Sequence, residues 1–369
     1  MNRFGTLVIV LGVTGVLSCG CRTESEVADE RDVERGPVTT KQDVTTKPGE
    51  LSPETRRRLL ADLDDPQRRD AAARALGRAR EKSAVRPLID LLRDDPKPVY
   101  IEALGRIGDE QALDYLLAIA PHYIAPGNRG SEDVAVLAEA IARLAEERAL
   151  PTLLTLSRHP SEPVRAHAAR GLATMHNPVA LDRLRTLMQT DTVAPTAIEA
   201  LGYLGTEDAV GVLAVELKVL SNQYFADLAR PPIPGRYVSL DPTKPQRIVR
   251  SLVATRRASA LPPIMSRLET WRALDLPAFQ ARGGHVRTIY TDLEAAWQLT
   301  GDDALARALP DPTVEERWTP GRRADEYARR LDVFLDWWTK HRAEVEARAA
   351  RHETLPRAAD VKIVLYDDR

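Results

Sequence analysis

Residues 103–117, ALGRIGDEQALDYLL, place apolar positions on a helical period, break at a short polar turn, and resume the period. Apolar residues recurring at i, i+3 and i+4 mark one buried face of a helix. The stretch therefore predicts the end of one helix, a tight turn and the start of a second. Near-copies recur at 75–89, 140–154, 171–185 and 200–214. Aligned on the aliphatic residue before the turn, one column reads Leu76, Leu104, Ile141, Leu172 and Leu201. The next residue is always small: Gly77, Gly105, Ala142, Ala173 and Gly202. Three past the anchor stand Ala79, Ile107, Leu144, Met175 and Leu204. Eight past it is alanine in every copy (Ala84, Ala112, Ala149, Ala180, Ala209). Nine past it come Val85, Leu113, Leu150, Leu181 and Val210, and twelve past it always leucine (Leu88, Leu116, Leu153, Leu184, Leu213).

Six columns in register at a period of about 30 residues define one antiparallel helix pair per unit. A single pair cannot bury its apolar face alone, so neighbours must stack into a continuous core. A sixth copy is displaced by an insertion: Leu252 is its anchor, with Ala260, Leu261 and Ile264 at eight, nine and twelve past it. A seventh, cap-like unit begins at Ala296-Trp297-Gln298-Leu299-Thr300-Gly301, ahead of a charged helix expected over roughly 322–351 that carries Trp337 and Trp338. The expected organisation is repeats over 51–220, a Pro-rich insertion at 221–247, a sixth repeat at 248–275 and a helical cap at 276–369. The segment VKIVLY at 361–366 reads as a strand or an extended piece on that cap.

The first helix of a unit carries Arg69, Ala72, Ala73, Leu76 and Gly77, and again Arg165, Ala168, Ala169, Leu172 and Ala173. These resemble the pattern of HEAT repeats, in the short bacterial form also found in phycobilisome lyases. Lys97, Val134 and Ala194 stand at the arginine position elsewhere. The resemblance implies an all-α fold, a right-handed α-solenoid of stacked antiparallel helix pairs closed by a helical C-terminal cap. Leu299-Thr300-Gly301 is similar to a signature that often closes such arrays. The resemblance rests on scaffold columns, which specify stacking and no chromophore chemistry.

The N-terminus changes the picture of where the molecule works. Arg3 precedes an apolar run at 4–17, which is shorter than the roughly 20 residues of a transmembrane helix and reads as the core of a signal peptide. Val16-Leu17-Ser18-Cys19 resembles the lipobox of bacterial lipoproteins, which implies removal of 1–18 and lipidation of Cys19. Cys21, preceded by Gly20, is the alternative. By the same resemblance Gly20, in place of an aspartate, implies sorting to the outer membrane, facing the periplasm. Residues 19–50 are polar and acidic, and read as a disordered tether. Their part after Cys21 holds eight acids and five bases, whereas the body from 51 onward balances 46 bases against 46 acids. That neutrality excludes a nucleic-acid module, whose affinity rests on phosphate neutralisation. Beyond Cys21 no cysteine remains for thiol or disulfide chemistry.

Candidate chemistry is sparse. The seven histidines (His122, His159, His167, His176, His285, His341 and His352) show no zinc-helix spacing. Gly283-Gly284-His285 lacks the strand and helix of a phosphate site, and no serine sits in a nucleophile elbow. No metal or cofactor is expected. The two insertions, 121–131 and 221–246, concentrate Pro, Gly, Tyr and Arg, and insertions in arrays often form the binding face. Tyr123, Arg129, Tyr224, Phe225, Arg236 and Tyr237 are therefore the candidate contact residues. The competing reading is that they pack the loops onto the array. The expected function is a non-enzymatic, lipid-anchored scaffold of the cell envelope that binds another protein. The alternative is an enzyme or enzyme subunit acting on envelope material, in a cleft between the insertions and the cap.

Overall fold

The computed structural model describes residues 51–144, 146–189, 192–229, 243–281, 288–311, 315 and 317–355. The fold is an all-α solenoid. A leading helix α1 (Pro53–Asp62) precedes six helix pairs: α2 (Arg69–Arg78) with α3 (Val85–Asp94), α4 (Pro98–Ile107) with α5 (Glu110–Ile124), α6 (Ser131–Leu144) with α7 (Leu150–Leu156), α8 (Glu162–Ala173) with α9 (Pro178–Met188), α10 (Ala194–Leu204) with α11 (Glu207–Ala229), and α12 (Thr243–Thr255) with α13 (Leu261–Arg272). Then follow α14 (Leu276–Ala281), α15 (Thr288–Thr300), α16 (Asp303–Ala308) and the long α17 (Pro320–Ala350). Consecutive first helices α2, α4, α6, α8, α10, α12 and α15 pack side by side in one row, and α3, α5, α7, α9, α11 and α13 in a second.

The turns inside several units follow one grammar. A residue in the left-handed region stops the first helix, and the next residue's side chain caps the second. Gly108 (φ 77°) ends α4 and Asp109 then accepts from the Gln111 backbone N–H. Gly205 (φ 63°) ends α10, after which Thr206 accepts from Ala209 N. Gly301 (φ 68°) and Asp302, which accepts from Ala304 N and Leu305 N, repeat the device before α16. Glycine lacks the Cβ that penalises this conformation. Arg80 (φ 52°) holds the same place before Glu81, which caps through Ser83 N.

The repeat columns are the core. Every anchor leucine or isoleucine, every alanine eight past it and every leucine or isoleucine twelve past it is fully buried. The small columns explain how closely the first-row helices approach. A Cβ on Gly77 would lie 2.9 Å from Ala103 Cα, and one on Gly105 2.6 Å from Ala140 Cα. A Cβ on Gly171 would lie 2.8 Å from Ala142 Cβ, and one on Gly202 2.8 Å from Ser251 Cβ. In each case the residue after one anchor faces the residue before the next unit's anchor. The matching arginine of the family pattern acts at the corners: Arg165 donates to the carbonyls of His159 and Pro160 and to Thr192 Oγ1. It thereby ties the loop before α8 to the approach to α10.

Two expectations need correction. The first insertion is short: α5 runs through Pro121 to Ile124, and α6 starts at Ser131. The second is narrower than 221–247. Helix α11 continues to Ala229 and α12 starts at Thr243, because residues 217–225 supply further buried side chains (Leu217, Ser221, Tyr224, Phe225) at helical spacing. The charged helix runs Pro320–Ala350, within two residues of the expected span, and packs over α13, α14, α15 and α16. After it the chain returns to the sixth repeat, where Ala258 N donates to Glu353 O (2.9 Å) and Leu355 N to Arg256 O (3.1 Å). The 361–366 segment lies outside the described residues, as do residues 1–50, on which the expected signal peptide, lipidation at Cys19 and tether fall.

Two glycine substitutions test the close-approach columns. An exposed helical glycine changed to alanine gains up to about 1 kcal/mol of stability. Gly211→Ala should show this gain, since nothing lies within 4 Å of its new Cβ. Gly105→Ala should instead lose about 1–3 kcal/mol, because the clash is with backbone that cannot rotate away. Urea unfolding of both variants checks the opposite signs.

Candidate functional site

The sequence-predicted contact residues divide into three fates. Tyr123 ends α5 as a core residue, 4 % exposed, and Arg129 lies over its ring at 4.9 Å while approaching Asp133 at 4.0 Å. Burial pushes the Tyr123 hydroxyl pKa up, with Arg129 opposing. Asn128 Nδ2 donates to the His122 carbonyl (3.1 Å), so this insertion is folded down on the array. Tyr224 and Phe225 lie on α11 rather than on a loop. They are buried edge-on against each other and against Trp271, which in turn meets Phe279. Reading them as loop-borne contact residues was an error of helix length: the proline cluster that suggested a loop begins only at Pro231. Arg236 and Tyr237 lie outside the described residues. The two insertions follow α5 and α11, three units apart, which at about 8–10 Å per packed helix separates their roots by roughly 25–30 Å along the array.

Where α11, α13 and α15 meet is a polar network that the repeat columns did not announce. Arg267 on α13 and Asp292 on α15 are 3 % and 1 % exposed. Arg267 Nε and Trp271 Nε1 both donate to Asp292 Oδ2 at 2.7 Å, and Arg267 Nη1 donates to Ser221 Oγ at 2.7 Å. The guanidinium also lies over the rings of Phe225 (5.5 Å) and Trp271 (5.6 Å). Burial pushes the Asp292 carboxyl up, against Arg267 and Trp271, which hold it down. The visible signal was an acid on the apolar face formed by Ile289, Leu293 and Ala296. A buried pair held this way links α11, α13 and α15 and fixes the last units on the array.

The open surface lies one unit earlier, in the second row. Between α9 and α11 runs a groove of about 570 Å³, lined by apolar Leu181, Met188, Val212 and Val215 and, as much, by polar and charged Arg185, Thr186, Gln189, Glu207, Asp208 and Glu216. Val215 is 65 % exposed and Val219, one turn on, 55 %. Gly211 stands at its edge with open space around it. Helix α11 is apolar on more faces than its packing uses. A helix apolar all round is normally buried, so the run of valines through Val210, Val212, Val215 and Val219 was the readable signal. Among the described residues no group of three or more His, Cys, Asp or Glu side chains is placed to hold a metal ion.

The comparisons follow the same geometry. The family model for HEAT repeats matches residues 53–123 and 131–202, with the gap at the first insertion. Over those residues the solenoid is built of HEAT repeats, and the all-α stacking continues past them through α11 to α15. No curated protein matches. Among solved structures, the complex of CpcE and CpcF of phycocyanin lyase from Nostoc sp. PCC7120 is 16% identical with a TM-score of 0.37, over 81% of this chain and 100% of that one. Human deoxyhypusine hydroxylase in complex with glycerol is 20% identical with a TM-score of 0.26, over 67% of this chain and 85% of that one. At these values neither likeness bears on activity.

Removing one partner of a buried ion pair strands the other, at about 3–5 kcal/mol. Asp292→Ala should destabilise by that amount, and the apolar double replacement Arg267→Met with Asp292→Leu should recover much of it, as read by urea unfolding. A second check uses His167 on α8. Burial lowers its pKa to about 4 from 6.5; Glu139 opposes this, and Arg170 and Arg143 reinforce it. The unfolded chain then binds a proton that the folded chain refuses. Stability should be full above pH 6.5 and fall as pH drops towards 4, by at most about 3 kcal/mol. His167→Gln should flatten that slope.

Proposed function

We propose that this HEAT-repeat protein is a non-enzymatic scaffold of a bacterial cell envelope, tethered by a lipid on Cys19, that binds another protein through its second helix row. The observation that carries the binding role is the exposed valine stripe beside the α9–α11 groove. HEAT repeats are interaction scaffolds, and Val215 and Val219 lie where the row's packing leaves them in water. Burying such a ridge in a partner removes apolar area from water at roughly 25 cal/mol per Å². The i, i+4 spacing of the two valines suits a helix of the partner laid along the groove, its apolar ridge entering between α9 and α11.

The anchor supports the same role. A tether of about 30 residues holds the array within roughly 30 Å of its lipid by random-coil scaling, which raises the local concentration of any envelope partner. Cys19 follows a signal-like apolar run and a small residue, which supports it as the modified position.

In pull-downs from solubilised envelopes, wild-type protein should retain one specific partner, and the double variant Val215→Asp/Val219→Asp should lose it while its unfolding curve stays unchanged. Retention of the same partner by that variant would refute the groove as the contact. Loss on deleting 230–242 alone would move the contact to the insertion. Fatty-acid labelling should vanish in Cys19→Ala; labelling that persists there and vanishes in Cys21→Ala assigns the lipid to Cys21.

A further inference from the structure

The two ends of the array carry their charge differently. On the C-terminal helix α17, exposed Arg329 and Arg342 and half-buried Arg348 face acids one turn away, Glu326 (2.8 Å), Glu346 (2.8 Å) and Glu344 (3.4 Å), while exposed Arg322 lies over the Trp318 ring without an ion pair. At the N-terminal end, residues 53–80 hold eight arginines and five acids, although the body as a whole is neutral. Arg57, Arg58, Arg74 and Arg78 are all exposed. None of the four has an ion-pair or hydrogen-bond partner among the described residues, whereas Arg56 and Arg68 beside them are bonded to Glu81 and to Asp62 and Asp65.

Those bonds also place the four arginines. Arg56 meets Glu81 just past α2, and Asp62 at the end of α1 meets Arg68 at the start of α2. Helices α1 and α2 therefore run antiparallel, which sets Arg57 and Arg58 level with Arg78, with Arg74 one turn along. A terminal cap needs a polar outer face, but paired charges meet that need, as α17 shows. Like charges at i, i+4, as in Arg74 and Arg78, oppose the helix. Their unpaired state is a cost to the free protein that an anionic partner removes.

We propose that this N-terminal face, Arg57, Arg58, Arg74 and Arg78, docks on the anionic headgroups of the membrane that carries the anchor. The place of the tether selects this occupant: the residues leading from Cys19 enter the fold at Leu51, directly before α1, so the lipid end of the chain and the unpaired arginines share one end of the array. Each basic side chain within a Debye length of an anionic surface multiplies partitioning about five-fold. Four such contacts orient the array on the surface once the tether has brought it there. The inference rests on the anchored reading for its purpose, but its test runs without the lipid.

The test uses residues 23–369, which keep every described core residue: the buried core begins at Leu63, with partly buried Leu51 packed against it. Sedimentation with vesicles of equal phosphatidylglycerol and phosphatidylcholine should show binding that weakens with salt, and pure phosphatidylcholine should show none. Changing Arg57, Arg58, Arg74 and Arg78 to Gln should weaken binding at least ten-fold. Changing Arg329, Arg342, Arg348 and Arg351 to Gln, the same change in net charge at the other end, should leave it within two-fold. Equal weakening by both variants, no binding by the unmodified protein, or binding to a DNA duplex as tight as to the vesicles would each overturn the proposal. Failure of fatty-acid labelling at Cys19 and Cys21 would remove the anchor and leave the vesicle result to stand or fall separately.

Discussion

The close approach of successive first-row helices is the constraint on which the rest depends. At four junctions a glycine faces a small residue of the next unit, at separations that leave no room for a Cβ; at the remaining junction among the first six units, Ala173 and Ala200 take the two small columns. Close helix contact forces the anchor and twelve-past residues into one continuous core. It also fixes the direction in which each unit presents its second helix. In an array each unit contacts only its neighbours, so these contacts propagate the geometry from α2 to α12. The Arg267–Asp292 network does different work at the end, where α15 must dock without the repeated small columns to guide it.

Much of this was legible because the repeat grammar is local and redundant. Six columns state helix, turn and helix in each unit, and in several units a left-handed residue followed by a capping side chain marks the turn as well. Leu76, Leu104, Ile141, Leu172 and Leu201 are buried as their column required. The insertions were harder to read. Proline, glycine and tyrosine suggested loops from residue 221, yet α11 runs on to Ala229 because its later turns find a second packing surface on Trp271, itself backed by Phe279. That surface comes from residues some fifty positions away in sequence, and no local pattern reports it. Asp292 and the valines of α11 were visible as exceptions to amphipathic patterning, but whether an exception is buried or exposed is decided by tertiary contacts.

The same division locates function. The columns are occupied by packing, and the residues that were expected to bind from the first insertion, Tyr123 and Arg129, hold that loop against the array. What the stacking does not consume includes the valine ridge of α11 along the second row, and the unpaired arginines of α1 and α2 at the end where the described chain begins. One surface is apolar and the other cationic, and they lie on different parts of the array. A tethered scaffold that rests one end near the membrane and offers a side to a protein is consistent with both.

The central claim is that the α11 ridge is a protein contact. Its most direct test is photo-crosslinking in living cells, with a photoreactive phenylalanine placed in turn at Val215, at Val219 and at Arg86, an exposed position on α3. One discrete adduct of the same mass is expected from both valine positions and none from position 86. No adduct from either valine position, or the same pattern of adducts from all three, would contradict it.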